Sequence, residues 1–273
     1  MRTTRLLIAA LVETALATAC ADLTAIQRFA ATSARSAEYT QLVDAYVAAP
    51  ERTARFAPER KRAELDDLAS QRALQRKGLL ALHTAVEEYM RALANLAADE
   101  AVDYDKDYDA LGKALTDAKF VDQGEADAVE GLGALLTRAV TDGYRQRKLC
   151  QVIEEANAPL QTIIANLRAI VRAIEGDATG LEDNVDTYYR TAVQNTGVAG
   201  VGAILEGWRY RDGREAAALR EAAKTYGDAL DAIASGHAAL FESREDLDTA
   251  EVRRQMTRYA NDIRKVIDTL TAL

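Results

Sequence analysis

The sequence predicts an all-α protein, an elongated antiparallel bundle of about six amphipathic helices with one long helix kinked near Pro159. Three observations predict it. Leu149, Ile153, Ala156, Leu160, Ile163, Leu167, Ile170 and Ile174 recur at alternating spacings of four and three, which is one apolar face of a helix. At about 1.5 Å per residue this stretch is roughly 39 Å long, and only other helices offer a cover of that shape. Stripes with the same rhythm return at Leu219, Ala223, Tyr226, Leu230, Ile233, His237 and Leu240, and at Val252, Met256, Tyr259, Ile263, Val266, Leu270 and Leu273. Finally, alanine, leucine, arginine and the acidic residues dominate, with only three prolines in 273 residues, a composition that favours helix throughout.

In chain order, residues 22–48 sketch a first helix through Ile26, Phe29, Ala30, Ala34, Ala37, Leu42, Tyr46 and Val47, ended before Pro50. A linker containing Pro50 and Pro58 leads to a second helix over residues 59–98. Its seam carries Leu65, Leu68, Arg72, Gln75, Leu79, Leu82, Val86, Tyr89, Leu93 and Leu96 on a seven-residue repeat. Arg72 and Gln75 interrupt that seam, either as a polar layer that fixes register or as a partly exposed stretch. A short helix over 108–118 precedes the long one, which the pattern begins near Gly124 and carries to about Glu175. Asn157 offers a cap for a fresh start, but the spacing continues through Pro159 and favours one kinked helix.

The glycines at 176 and 180 predict a break before a helix from Leu181. The cluster Gly197, Gly200 and Gly202 predicts close helix contact or local flexibility, since no strand precedes it and the order does not match a phosphate-binding loop. Asp212-Gly213 predicts a further break. The last helix opens on an apparent capping box from Asp248 to Glu251.

The N-terminus reads as an address. Arg2 and Arg5 precede an apolar run over 6–12, followed by Ala17, Thr18, Ala19 and Cys20. These twenty residues resemble a bacterial lipoprotein signal peptide. The resemblance implies cleavage after residue 19, a lipid on the sulfur of Cys20 as the first residue of the mature chain, and a single helical-bundle domain over residues 20–273. Ala21 stands where an aspartate would resemble an inner-membrane retention signal, so the expected location is the outer membrane, facing the periplasm. Cleavage removes Arg2, Arg5 and Glu13 and takes the formal charge from −9 to −10. Attachment would then come from acyl chains, at about 0.8 kcal/mol per buried methylene, and not from attraction to anionic lipids.

The acidic balance and interspersed signs argue against a nucleic-acid surface. No nucleophile elbow, paired-cysteine site or zinc-protease motif occurs, so the expectation is a protein that is not an enzyme and needs no cofactor. Asp103, Asp105, Asp107 and Asp109 alternate as in a calcium loop, but Tyr108 and Ala114 occupy the positions of its glycine and glutamate. They read as an acidic helix start. His237 reads as a core histidine and His83 as a surface one; a shared cation on His83 and Glu87 is the weaker alternative, and no metal site is expected. Cys150 reads as a buried or half-buried structural thiol.

The functional expectation is therefore a lipid-anchored scaffold or binding module with an unidentified protein partner. The alternatives are a membrane-active helical protein, contacting lipid through residues 197–205, and a small metal-binding carrier.

Overall fold

The computed structural model describes residues 22–37, 40–100, 123–144 and 146–272. Among them are seven α-helices and no strand. They are α1 (Thr24–Ala37), α2 (Gln41–Ala54), α3 (Arg62–Ala97), α4 (Gln123–Thr141), α5 (Leu149–Thr196), α6 (Ala199–Glu242) and α7 (Ala250–Ala272). The protein is an all-α bundle. The predicted helix over 108–118 and the aspartates 103–109 lie outside the described residues, as does Cys20.

Every residue of the 149–174 stripe is buried, and α5 passes through Pro159 as one helix. It does not, however, begin near Gly124. Gly143 adopts a left-handed conformation (φ 59°), Tyr144 N–H donates to the carbonyl of Ala139 at 2.8 Å, and Gly143 N–H to that of Val140 at 3.1 Å. That pair of bonds is a Schellman cap, which closes α4 and lets α5 start afresh.

At the other end α5 ignores Gly176 and Gly180 and runs on to Thr196, burying Ala178, Leu181, Val185 and Tyr189 in continuation of the stripe. α6 likewise runs through Gly213. Each glycine costs about 1 kcal/mol in a helix relative to alanine, and burial of two long stripes against each other offsets it. The predicted breaks at 176–180 and 212–213 are therefore absent, and the chain builds an antiparallel hairpin of 48 and 44 residues. Its turn is Gly197, left-handed at φ 61°, followed by extended Val198.

The second half of α3 is the centre of the main core. From Gly78 onward it is buried almost all round, packing on α1, α2, α4 and α5. α1 also lies against α6 and α7. There Gly236 permits close approach, since a Cβ in its place would sit 2.5 Å from the Phe29 ring. The predicted first helix is in fact two, with Val43 N–H donating to the carbonyl of Thr40 at 2.9 Å as α2 begins. The cap of α7 is Thr249, whose hydroxyl accepts from Val252 N–H at 3.3 Å, one residue later than the expected box. Cys150 is exposed on the first turn of α5, not buried.

α2 continues through Pro50, where the sequence predicts its end. Proline lacks an N–H and leaves the carbonyl four residues earlier, that of Tyr46, without its helical partner. Arg72 supplies one. Its Nη1 donates to the Tyr46 carbonyl at 3.0 Å, its guanidinium lies 4.2 Å from the Tyr46 ring centroid, and it forms a two-pronged ion pair with Asp177 at 2.5 and 3.2 Å. The Tyr46 hydroxyl donates to Gln75 at 2.9 Å. The polar interruption of the α3 seam is thus a buried node joining α2, α3 and α5.

Removing one partner of a buried ion pair leaves the other charge without compensation. Asp177→Ala is expected to lower stability by about 3 kcal/mol, read as a lower urea midpoint at unchanged slope. A change within about 0.5 kcal/mol, the range of ordinary surface substitutions, would show that the node contributes nothing.

Candidate functional site

The main core ends near Ile174 on α5 and Ala222 on α6, and the hairpin continues beyond it around a second, smaller cluster of Leu181, Val185, Tyr189 and Ala216. From Ile174 to Gly197 that extension is about 35 Å long. At its end, Val198, Val201, Ile204 and Trp208 are 56, 42, 54 and 46% exposed. Val201, Ile204 and Trp208, three and four residues apart, lie on one face of α6, and Val198 directly precedes its first turn. Exposed apolar side chains grouped in this way make the tip a candidate contact surface.

Ion pairs brace the hairpin behind the row. Arg209 bridges Asp186 at 2.8 Å and Glu206 at 2.7 Å, Arg190 also pairs with Asp186, and Arg220 reaches Glu182 at 2.6 Å. The Arg209–Asp186 and Arg220–Glu182 pairs join α5 to α6, while the other two lie within one helix each.

Below the tip, the end of α2 meets the hairpin and forms a cleft of about 470 Å³. Phe56, just past the last turn of α2, packs edge-on against Tyr188 with ring centroids 5.7 Å apart, and lies 5.9 Å from Tyr189. Tyr189 Oη donates to Asp212 Oδ2 at 2.7 Å, and Arg211 Nε donates to Oδ1 at 2.8 Å. Burial raises the Asp212 pKa, but the bonds from Arg211 and Tyr189 outweigh it and hold the carboxyl below its ordinary range. Burial, aided by the bond to Asp212, pushes the Tyr189 phenol up to about 12. Arg52 and Arg55 line the same cleft and make no ion pair among the described residues.

The two histidines lie elsewhere. His237 is fully buried, as expected; its Nε2 is 2.6 Å from Tyr89 Oη and its Nδ1 3.1 Å from Asn157 Oδ1. Asn157 therefore serves the core and starts no helix. His83 is buried as well, contrary to its surface reading, with Nδ1 3.2 Å from the Ala37 carbonyl and 3.1 Å from Tyr226 Oη. Glu87 pairs with Arg91 instead of joining His83, so the two do not form a cation site. Among the described residues no three His, Cys, Asp or Glu side chains converge as metal ligands, and no helix is long and apolar enough to cross a membrane.

Nothing matches this chain among protein-family models, curated proteins or solved structures. Function rests on the geometry.

Sequence reasoning missed the cleft because Arg52, Arg55 and Phe56 fall in what reads as a linker, while Asp212 falls in what reads as a break. The polar interruption at Arg72 and Gln75, which reads as a register-fixing layer or a partly exposed stretch, is the one trace in the sequence of the node that holds α2 against the hairpin.

Burial depresses the pKa of His83 to about 4, with the Ala37 carbonyl opposing the shift, and that of His237 to about 3. Both are neutral when folded, whereas the unfolded chain takes up protons below pH 6.5. Their contribution is therefore constant above that pH and is lost as the pH falls through 6.5 towards 4 and 3. By pH 5 the loss is about 2 kcal/mol for each. Histidine NMR resonances of the folded protein are expected not to titrate between pH 7.5 and 5. A midpoint near 6.5 for either would contradict its burial.

Proposed function

We propose that the protein is a lipid-anchored component of the bacterial envelope that acts as a non-catalytic binding module. A lipid on Cys20 holds it at the outer membrane, facing the periplasm, and the hairpin presents its tip to a protein partner. The observation that carries this reading is the opposition of two ends of the molecule.

Asp22, two residues beyond Cys20, accepts hydrogen bonds from Thr24 N–H and from Arg253 near the start of α7, both at 3.3 Å. Leu23 lines a shallow groove with Leu149 and Cys150, where α5 begins. From there α5 runs 48 residues to the turn, a span of about 72 Å. Asp22, where the described chain begins, therefore belongs to the base, and the apolar row belongs to the far end. A hairpin of that length can hold the row away from the membrane to which Cys20 is anchored. An exposed stripe at the end of a braced hairpin suits an apolar docking surface on another protein.

The same stripe also favours a second reading, a membrane-active protein that inserts its tip. Dye release from liposomes by the full chain at neutral pH would select that reading over docking.

The anchor itself is tested by radiolabelled palmitate incorporation in a Gram-negative host. Label on the wild-type chain and none on Cys20→Ala is the expected result. Absence of label from both, or equal label on both, would remove the anchor from the account.

A further inference from the structure

We propose that the cleft between the end of α2 and the hairpin binds an organic monoanion with a flat apolar body. Its negative group is held by Arg52 and Arg55, and its body lies against Phe56 and Tyr188.

The first argument is charge. Three guanidiniums line the cleft, but they are not equivalent. Arg211 is engaged by Asp212, whose second oxygen accepts from Tyr189, so this carboxylate is already neutralised and its oxygens are occupied. Arg52 and Arg55 have no ion pair among the described residues, although Arg55 stands near enough to Asp212 to help hold its carboxyl down. Against them stands Glu215 at the rim, giving the cleft a surplus of one positive charge. The carboxyl end of α2 adds partial negative charge beside the two arginines. That balance favours one negative charge on the ligand over two. A guanidinium presents a planar fork of donors that matches a carboxylate or sulfonate with two parallel bonds.

The second argument is shape and surface. At about 470 Å³ the cleft falls within the roughly 300–1,000 Å³ of small-molecule sites. Tyr188 is 49% exposed although its ring is packed edge-on against Phe56. A flat body offered to these rings gains both apolar burial and an offset or edge-on aromatic contact. Val185 and Leu181 close the floor with aliphatic surface.

The third argument is that the site is formed in advance. The bond from Tyr189 to Asp212 ties α5 to α6 at the floor, and the Arg72 node holds α2 against α5. Little has to be ordered when a ligand arrives, so its contacts are not offset by an ordering cost.

The test is a fluorescence titration of the full chain carrying Cys20→Ala with 1-anilinonaphthalene-8-sulfonate, which has one sulfonate on a flat aromatic body. Saturable binding at a single class of site is expected. Arg52→Gln/Arg55→Gln is expected to weaken it by about tenfold or more, the loss typical of a charged hydrogen bond. Trp208→Gln, at the tip, should leave it unchanged, and the uncharged N-phenyl-1-naphthylamine should bind the arginine double variant as it binds the parent. Arg55 is exposed and Arg52 half-buried, so the double variant keeps its core; an unchanged thermal midpoint verifies this. Absence of saturable binding, full affinity in the double variant, or loss of binding through Trp208→Gln would each overturn the proposal. The titration does not involve Cys20, so its failure and the failure of the anchor are read separately.

Discussion

The position of the end of α2 against the hairpin depends on Arg72. Pro50 frees a carbonyl on α2, and a buried guanidinium on α3 takes it while also engaging the Tyr46 ring and Asp177. Asp177 is three residues beyond Ile174, the last α5 residue of the main core, and so marks the root of the projecting hairpin. One side chain thus couples the end of α2 to the point where α5 leaves the bundle. Buried ion pairs are weak sources of net stability, because desolvation offsets much of the attraction. Here the pair also supplies direction: it holds the end of α2 against the root of the hairpin, where the cleft forms.

The same economy of buried polar groups holds in the core. Each histidine meets the hydroxyl of a tyrosine on another helix, Tyr89 with His237 and Tyr226 with His83, so both pairs run between α3 and α6. Burial keeps the rings neutral; His237 accepts from the Tyr89 hydroxyl on Nε2 and donates from Nδ1 to Asn157 Oδ1, whereas His83 meets both the Ala37 carbonyl and the Tyr226 hydroxyl at Nδ1, which donates to the carbonyl. These contacts cost little as long as both partners are present and are expensive to leave half-made. They give α3 and α6 a fixed register that the surrounding leucine and isoleucine side chains alone would not specify.

The legibility of the sequence followed the range of the interactions involved. Stripes are local, and the α3, α5, α6 and α7 faces were readable from spacing alone. Helix ends were less so. Gly176, Gly180 and Gly213 resemble stops, yet two long faces buried against one another carry the helices through them, while Gly143 ends a helix because the chain reverses there with a full set of capping bonds. Cys150 follows an apolar residue and reads as interior, but lies on the outer side of its turn. The cleft was the least legible feature. Its parts come from residues 52–56, 181–189 and 211–215, and only the tertiary node at Arg72 brings the first group to the others. The pattern around Cys20 is local to the N-terminus and lies outside the described residues.

Under the proposed function, the base, the hairpin and the tip form a spacer. The base carries the N-terminal end of the described chain, the hairpin carries the cleft, and the tip carries the apolar row. The central claim is that the row stands a fixed, long distance from the base. It is tested most directly by double electron–electron resonance between spin labels on native Cys150 and on Val198→Cys, in a Cys20→Ala background. The account predicts one narrow distance distribution centred at about 70 Å, from a helical rise of about 1.5 Å per residue. A distribution centred below about 50 Å, or one spread across that range, would mean that the helix does not hold its extended form, and the spacer would have to be abandoned.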